Sequence, residues 1–300
     1  MVSKTTVGGP IPSAPARMVI FLAYIFYFIA ASASPLQRRW LAVNREADND
    51  GQIDFAFKVV FIVAFLGLII PFFQPIELTG NYLSIGLLAL VCGLFGAGFY
   101  VTYFIAQKHV DAGITTLVSN IYTPVTIILA SVFLNERLTL MQIIGTLLLL
   151  FAIVLISKKH RQGKLRFDKH FLMMFAGGVM LGVLLTAERS LQKITGFTAG
   201  TLLSWWSQSI VLGIAVLIMK DKTRHTTKDT LITGVLRFFQ SLSWVILIFI
   251  VSNLSVVSAV TTFKVVVIFA AAALFLNERE DLPRKIFGSF IAVVGLLLMK

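Results

Sequence analysis

The chain reads as long apolar blocks separated by short polar interruptions. Ten blocks each approach the roughly 20 residues that carry an α-helix across a hydrocarbon core. The pattern predicts spanning helices over 18–36, 55–74, 82–106, 112–134 and 139–157, then over 170–192, 198–219, 229–251, 255–276 and 283–299. In lipid every backbone amide must be bonded within its own element, which favours helices over open sheet. Residues 1–17, with three prolines and several small residues, predict a disordered tail. One interruption exceeds ordinary length, about 37–54, and holds Asn44, Asp48, Asn49, Asp50 and Gly51. A basic linker over 158–169 divides the chain into a first unit, 18–157, and a second, 170–300.

The two units echo one another. Phe133-Leu134-Asn135-Glu136-Arg137 recurs as Phe275-Leu276-Asn277-Glu278-Arg279, a shift of 142 residues (276 minus 134). Each motif is followed by a glycine, Gly145 or Gly288, that opens a final apolar block, and Leu36-Gln37-Arg38 echoes Leu191-Gln192-Lys193 near the start of each unit. Five helices per unit is an odd number, so the second unit enters the membrane upside down relative to the first. That is the inverted repeat of many secondary transporters, which hold substrate near the bilayer midplane. The expected fold is therefore an all-α integral membrane protein with ten transmembrane helices in two inverted five-helix repeats.

Composition agrees. Hydrophobic residues make up 57% of the 300 and charged residues 13%, with a mean hydropathy of +0.89, against roughly 45–50% and 25% in soluble domains. A net charge of +12 on a soluble protein suggests nucleic acid; here the cations sit in short loops without a basic groove, so no nucleic-acid partner is expected and membrane lipid is. Six basic residues fall on the face shared by the two termini and eighteen on the other, with Arg237 and Lys264 inside helices completing the 26. The positive-inside rule then puts both termini outside, in a cell inner or plasma membrane. His109, His160, His170 and His225 show no metal-ligand spacing, and Cys92 lies alone in an apolar block; no metal or cofactor is expected. No HExxH, GxSxG or Walker loop occurs, so enzyme chemistry and ATP-driven pumping by this chain are not expected.

Five helices, a Leu-x-Glu-Arg turn and a Gly-led last helix, twice over, resemble the drug/metabolite transporter superfamily in its EamA-type branch, over residues 18–299. Asn120 to Pro124 resembles the family's proline-bearing fourth helix; Val266 stands where that proline would repeat. The resemblance implies a carrier of amino acids, metabolites, sugars, nucleotide sugars or drugs. It also implies a midplane cavity lined from helices one, three, four, six, eight and nine, with five and ten peripheral. Ser258 to Ile268 is similar to helix nine of the sugar-phosphate and nucleotide-sugar branch, where a lysine at the place of Lys264 contacts phosphate; Val265 stands where a second base often follows.

The residues themselves nominate a site. Lys264 falls about nine residues into the ninth block, roughly 13 Å deep at about 1.5 Å per residue, where an ammonium costs at least about 2.5–3.5 kcal/mol. It needs a water-filled cavity or a partner, and a lysine that pairs with Glu188 for stability is the plain alternative. The shift of 142 matches Lys264 with Tyr122, beside Asn120 and Thr123. Tyr24 and Tyr27, and Tyr100 and Tyr103, are spaced i, i+3 and serve either a cavity or an interfacial belt. Arg237, with Gln240 and Trp244 on its helical face, is a second cation or a snorkelling side chain. Glu188 and Arg189 form a gate, a proton site or an interfacial pair. Trp205 and Trp206 read as lipid-facing or packing, and Gly178-x-x-x-Gly182 as a close helix approach. Glu136, Arg137, Glu278 and Arg279 read as structural turn residues that cap the following helices. The expected function is secondary transport of small metabolites such as amino acids, with protons or a counter-substrate as coupling partners. Organic-anion or phosphate-ester exchange through Lys264 and a non-transporting assembly role are the alternatives.

Overall fold

The computed structural model describes residues 14–44, 51–134, 139–157, 169–251, 264–276 and 282–298. They form helices α1 (Ala14–Asn44), α2 (Gln52–Gly67), α3 (Tyr82–His109), α4 (Ala112–Ser119), α5 (Tyr122–Leu134), α6 (Leu140–Ser157), α7 (Lys169–Thr195), α8 (Phe197–Met219), α9 (Thr227–Val251), α10 (Lys264–Phe275) and α11 (Leu282–Leu298), with a 3₁₀ turn at Ile70–Phe72. No strand occurs among the described residues. Glu136, Arg137, Glu278, Arg279, residues 158–168 of the linker and residues 255–263 of the ninth block lie outside them.

Among the described residues seven helices are long and apolar enough to cross a membrane, and α6 and α10 are shorter apolar helices. The outer surface explains that composition. Phe65, Leu94, Ile210, Leu217, Phe287 and Phe290 are each more than half exposed, far beyond the apolar patches that water-soluble monomers carry. The protein is a multi-pass integral membrane protein.

Three blocks, the first, second and fourth, differ from the sequence expectation. α1 begins at Ala14, so residues 14–17 are helical where a tail was expected, and it runs to Asn44 through the expected polar loop. The reason is that its cations are satisfied inside the protein. The Arg38 guanidinium, 1% exposed, sits 4.9 Å from the Phe55 ring and 4.9 Å from the Phe104 ring. It donates to Gln52 Oε1 at 2.7 Å and to the Phe104 carbonyl at 3.3 Å. Arg38, and Lys285 at 6% exposure, are thus internal charges and not loop charges. The second block ends earlier than expected, α2 stopping at Gly67 before the 3₁₀ turn. The fourth block breaks into α4 and α5. Pro124 lacks an N–H, and its ring collides with the carbonyl four residues back, which is that of Asn120. The chain responds with 3₁₀-type bonds, Asn120 N–H to the Leu117 carbonyl and Ile121 N–H to the Val118 carbonyl.

Local signals set other ends. Thr139 and Gln142 exchange side-chain and backbone bonds at 2.9 and 3.2 Å at the start of α6, a reciprocal cap. Asn81 Oδ1 accepts from Leu83 N–H at the start of α3.

The bundle is built from recurrent pairs. α3 packs on α7 and α1 on α9; α3 on α8 and α2 on α9; α5 on α7 and α1 on α10; α2 on α8, α4 on α10 and α6 on α11. Gly178 and Gly182 bring α7 against the α4–α5 break. A Cβ on Gly178 would stand 3.0 Å from the Ser119 carbonyl oxygen, and one on Gly182 3.0 Å from that of Tyr122. Small residues of this kind let backbones approach in lipid. Gly178→Ala is therefore expected to destabilise the protein by about 1–3 kcal/mol, the cost of overpacking. Gly86→Ala, whose Cβ meets nothing within 4 Å, is expected to be neutral or stabilising. Thermal unfolding in detergent compares the two.

Candidate functional site

A cavity of about 120 Å³ opens in the middle of the bundle, with walls from α1, α3, the start of α5, α7, α8, α9 and the start of α10. Three ionisable side chains face it. Lys264 Nζ donates to the Tyr27 hydroxyl at 3.2 Å and lies 5.9 Å and 6.0 Å from the ring centroids of Tyr27 and Tyr122. Arg237 donates from Nε to the Tyr100 hydroxyl at 3.1 Å and from its guanidinium to Gln240 Oε1 at 2.9 Å. Its guanidinium carbon is 4.9 Å from the Tyr100 ring centroid. Glu188, 9% exposed, accepts from the Ser204 hydroxyl at 2.5 Å. Gln208 Nε2 donates to both the Ser204 hydroxyl and the Ser204 carbonyl at 3.0 Å, so the serine is turned toward the carboxylate.

The lysine is not the partner of Glu188: among the described residues no ion pair joins the two. Each charge is held instead by neutral hydroxyl, amide and aromatic groups. That satisfies its geometry and leaves its charge available, an arrangement that costs stability unless a counter-charge arrives.

Local structure explains who faces in. Residues i and i+3 on an α-helix are about 60° apart around the axis, so a cavity can select one of each tyrosine pair. Tyr27 and Tyr100 line it. Tyr103 is buried against Phe99 and Phe104 in the core, and the Tyr24 hydroxyl is buried without a hydrogen-bond partner among the described residues. Tyr122 lines the cavity because the break at Asn120 starts a new helix there. Asn120 is buried with its Nδ2 unpartnered among the described residues, and neither it nor Thr123 lines the cavity. Arg189 departs from Glu188, reaching Gln192 Oε1 at 3.4 Å away from the lining. Gln240 and Trp244 line as expected.

The seventh block contributes where none was expected. Trp205, read from sequence as packing or lipid-facing, lines the cavity with Gln208 and stands edge-on to Phe238. The available signal was the polar series Ser204 and Gln208, one turn apart in an otherwise apolar helix. Trp206 packs edge-on against Phe61. Among the described residues no cluster of His, Cys, Asp or Glu suits a metal ion. Two cations, one carboxylate and aromatic walls suit a small organic molecule with charged groups and an apolar body.

Residues 17–158 match the family model of the EamA-like transporter family. No curated protein sequence matches the chain. A solved crystal structure shares the fold at 12% identity with a TM-score of 0.51, covering 94% of this chain and 97% of its own.

Cysteine substitution tests the lining. In a Cys92→Ala protein, cysteines placed singly at Tyr27 and Tyr100 are expected to react with a small water-soluble thiol reagent faster than cysteines at Tyr24 and Tyr103. Equal rates measured by mass spectrometry would remove the distinction.

Proposed function

We propose, from the match of residues 17–158 to the EamA-like transporter family model, that this membrane protein is a secondary transporter of small metabolites, amino acids or related compounds, working by alternating access around the central cavity. The observation that carries the reading is the cavity itself, in which both halves of the chain place ionisable side chains or their tyrosine partners at mid-bundle. A solid bundle would have suited a non-transporting assembly partner better. The cavity size favours a small cargo: about 120 Å³ is near the roughly 150 Å³ of an engineered cavity that binds benzene, and well short of a nucleotide sugar.

The pairing of helices supports an inverted ten-helix repeat. Under an exchange of the two halves, the α3–α7 contact becomes α9–α1, α3–α8 becomes α9–α2, and α5–α7 becomes α10–α1; α2–α8 and α6–α11 map onto themselves. A twofold axis in the membrane plane accounts for all five relations. The basic end then faces the cytoplasm of a cell inner or plasma membrane, by the positive-inside rule. Glu188 is the candidate for proton coupling, being the acid in the cavity wall. A second reading, organic-anion exchange, is favoured by Arg237 and Lys264 lining one cavity.

Lys264 decides between readings. If its charge meets the cargo, Lys264→Arg retains part of the transport and Lys264→Gln loses it with the fold intact. Full transport by Lys264→Gln would remove the residue from the site. The cargo is first found by thermal shift of the purified protein against metabolite pools, since a ligand at 100 times its Kd adds about 2.7 kcal/mol. Uptake of that compound into proteoliposomes then compares the variants.

A further inference from the structure

At one end of the bundle α1, α3 and α8 finish and α2, α4, α7, α9 and α11 start. The ion pairs Arg39–Asp111, Lys58–Asp54 and Lys285–Asp111 lie at this end. Asp111, in the turn between α3 and α4, takes part in two of these three. Its carboxylate accepts from Lys285 Nζ of α11 at 2.5 Å and lies 3.7 Å from the Arg39 guanidinium of α1. Arg39 is held in place by the Gln107 and Lys108 carbonyls at 2.6 and 2.8 Å. Lys285 is buried and the Asp111 side chain is 29% exposed, so the cluster lies at the rim and not in the core. At the opposite end the two halves meet through neutral bonds, Thr79 hydroxyl to the Ile194 carbonyl at 2.8 Å and Thr198 hydroxyl to the Gln74 carbonyl at 3.0 Å.

The position of the cluster gives it a task. The elements carrying Tyr27, Tyr122 and Lys264 at the cavity are α1, the broken α4–α5 helix and α10. Arg39 lies twelve residues beyond Tyr27 on α1, about 18 Å at 1.5 Å per residue, and Asp111 immediately precedes α4, eleven residues before Tyr122. Lys285 is on the helix that follows α10. The cluster therefore ties two wall elements, α1 and α3, to α11 at this end, with Phe269 of α10 packed on Gly113 of α4 close by.

We propose that Asp111, with Lys285 and Arg39, is an ionic latch that closes the basic end of the cavity, and that breaking it is the step that opens the cavity to that side. The latch rests on the alternating-access reading. It is a positioning device and touches no cargo.

The test needs no identified cargo. A reporter, Gln240→Cys in a Cys92→Ala protein, is placed in proteoliposomes of known orientation. The membrane-impermeant anionic reagent 2-sulfonatoethyl methanethiosulfonate is added from either side. Asp111→Asn is expected to raise the labelling rate from the basic side by about fivefold, the equivalent of about 1 kcal/mol for a partly exposed ion pair, without a rise from the other side. Asp111→Glu is expected to return the rate toward that of the parent. Lys285→Met removes the same contact from α11 and gives the same one-sided rise, and it serves if Asp111→Asn does not fold. An unchanged rate from the basic side, or an equal rise from both sides, would overturn the latch while labelling of the parent from the other side leaves the transport reading standing. A parent reporter that reacts from neither side, and stays unreactive in every variant, would overturn both.

Discussion

A helical bundle whose outside is covered by phenylalanine, leucine and isoleucine has no water there to complete its polar groups, so each must be completed within. Lys264, Arg237 and Glu188 are the severest cases, because an ionisable group in a membrane interior costs several kcal/mol unless its surroundings answer it. The answer is built from neutral donors and acceptors. Tyr27 takes the ammonium, Tyr100 and Gln240 take the guanidinium, and Ser204, itself turned by Gln208, takes the carboxylate. Most of the cavity's character follows from this: its tyrosines, its polar column on α8, and the separation of its cations from its acid.

That separation sets the chemical character of the cavity. A direct lysine–glutamate pair would neutralise the cavity and lower its need for a charged guest. Held apart by hydroxyls and amides, the three groups present unlike charges on different walls, and Trp205 and Trp244 add flat apolar surface between them. Residues 17–158 match the EamA-like transporter family model, and such a chamber suits the carrier proposed above.

The broken fourth helix connects packing to this chamber. Pro124 denies Asn120 its helical bond, the chain turns through a 3₁₀ step, and Tyr122 begins α5 within 6.0 Å of Lys264. Gly178 and Gly182 let α7 close on that step, and Thr126 ties the Tyr122 carbonyl at 2.8 Å. At the basic end a different economy holds. Charges meet charges at the rim, where partial exposure lowers their desolvation cost, and the contacts bridge the two halves of the chain.

Much of this was legible in the amino-acid order. Apolar blocks of spanning length, the recurring Leu-Asn-Glu-Arg turns and an ammonium deep in the ninth block determine a helical membrane protein with a charged interior site. Those signals are one-dimensional: hydropathy and spacing are properties of a segment by itself. Lys264, Arg237, Tyr122, Gln240 and Trp244 line the cavity. The choice of Tyr27 over Tyr24 and Tyr100 over Tyr103 was decided by tertiary structure, because a rotation of about 60° on the helix matters only once neighbouring helices fix which direction is inward. Arg38 looked like a loop cation until Phe55 and Phe104, far along the chain, enclosed it. Trp205 looked like packing until α8 was set beside α7. Partners brought together across such sequence distances leave no periodic trace in either segment, so only the assembled bundle determines which polar groups answer which charges.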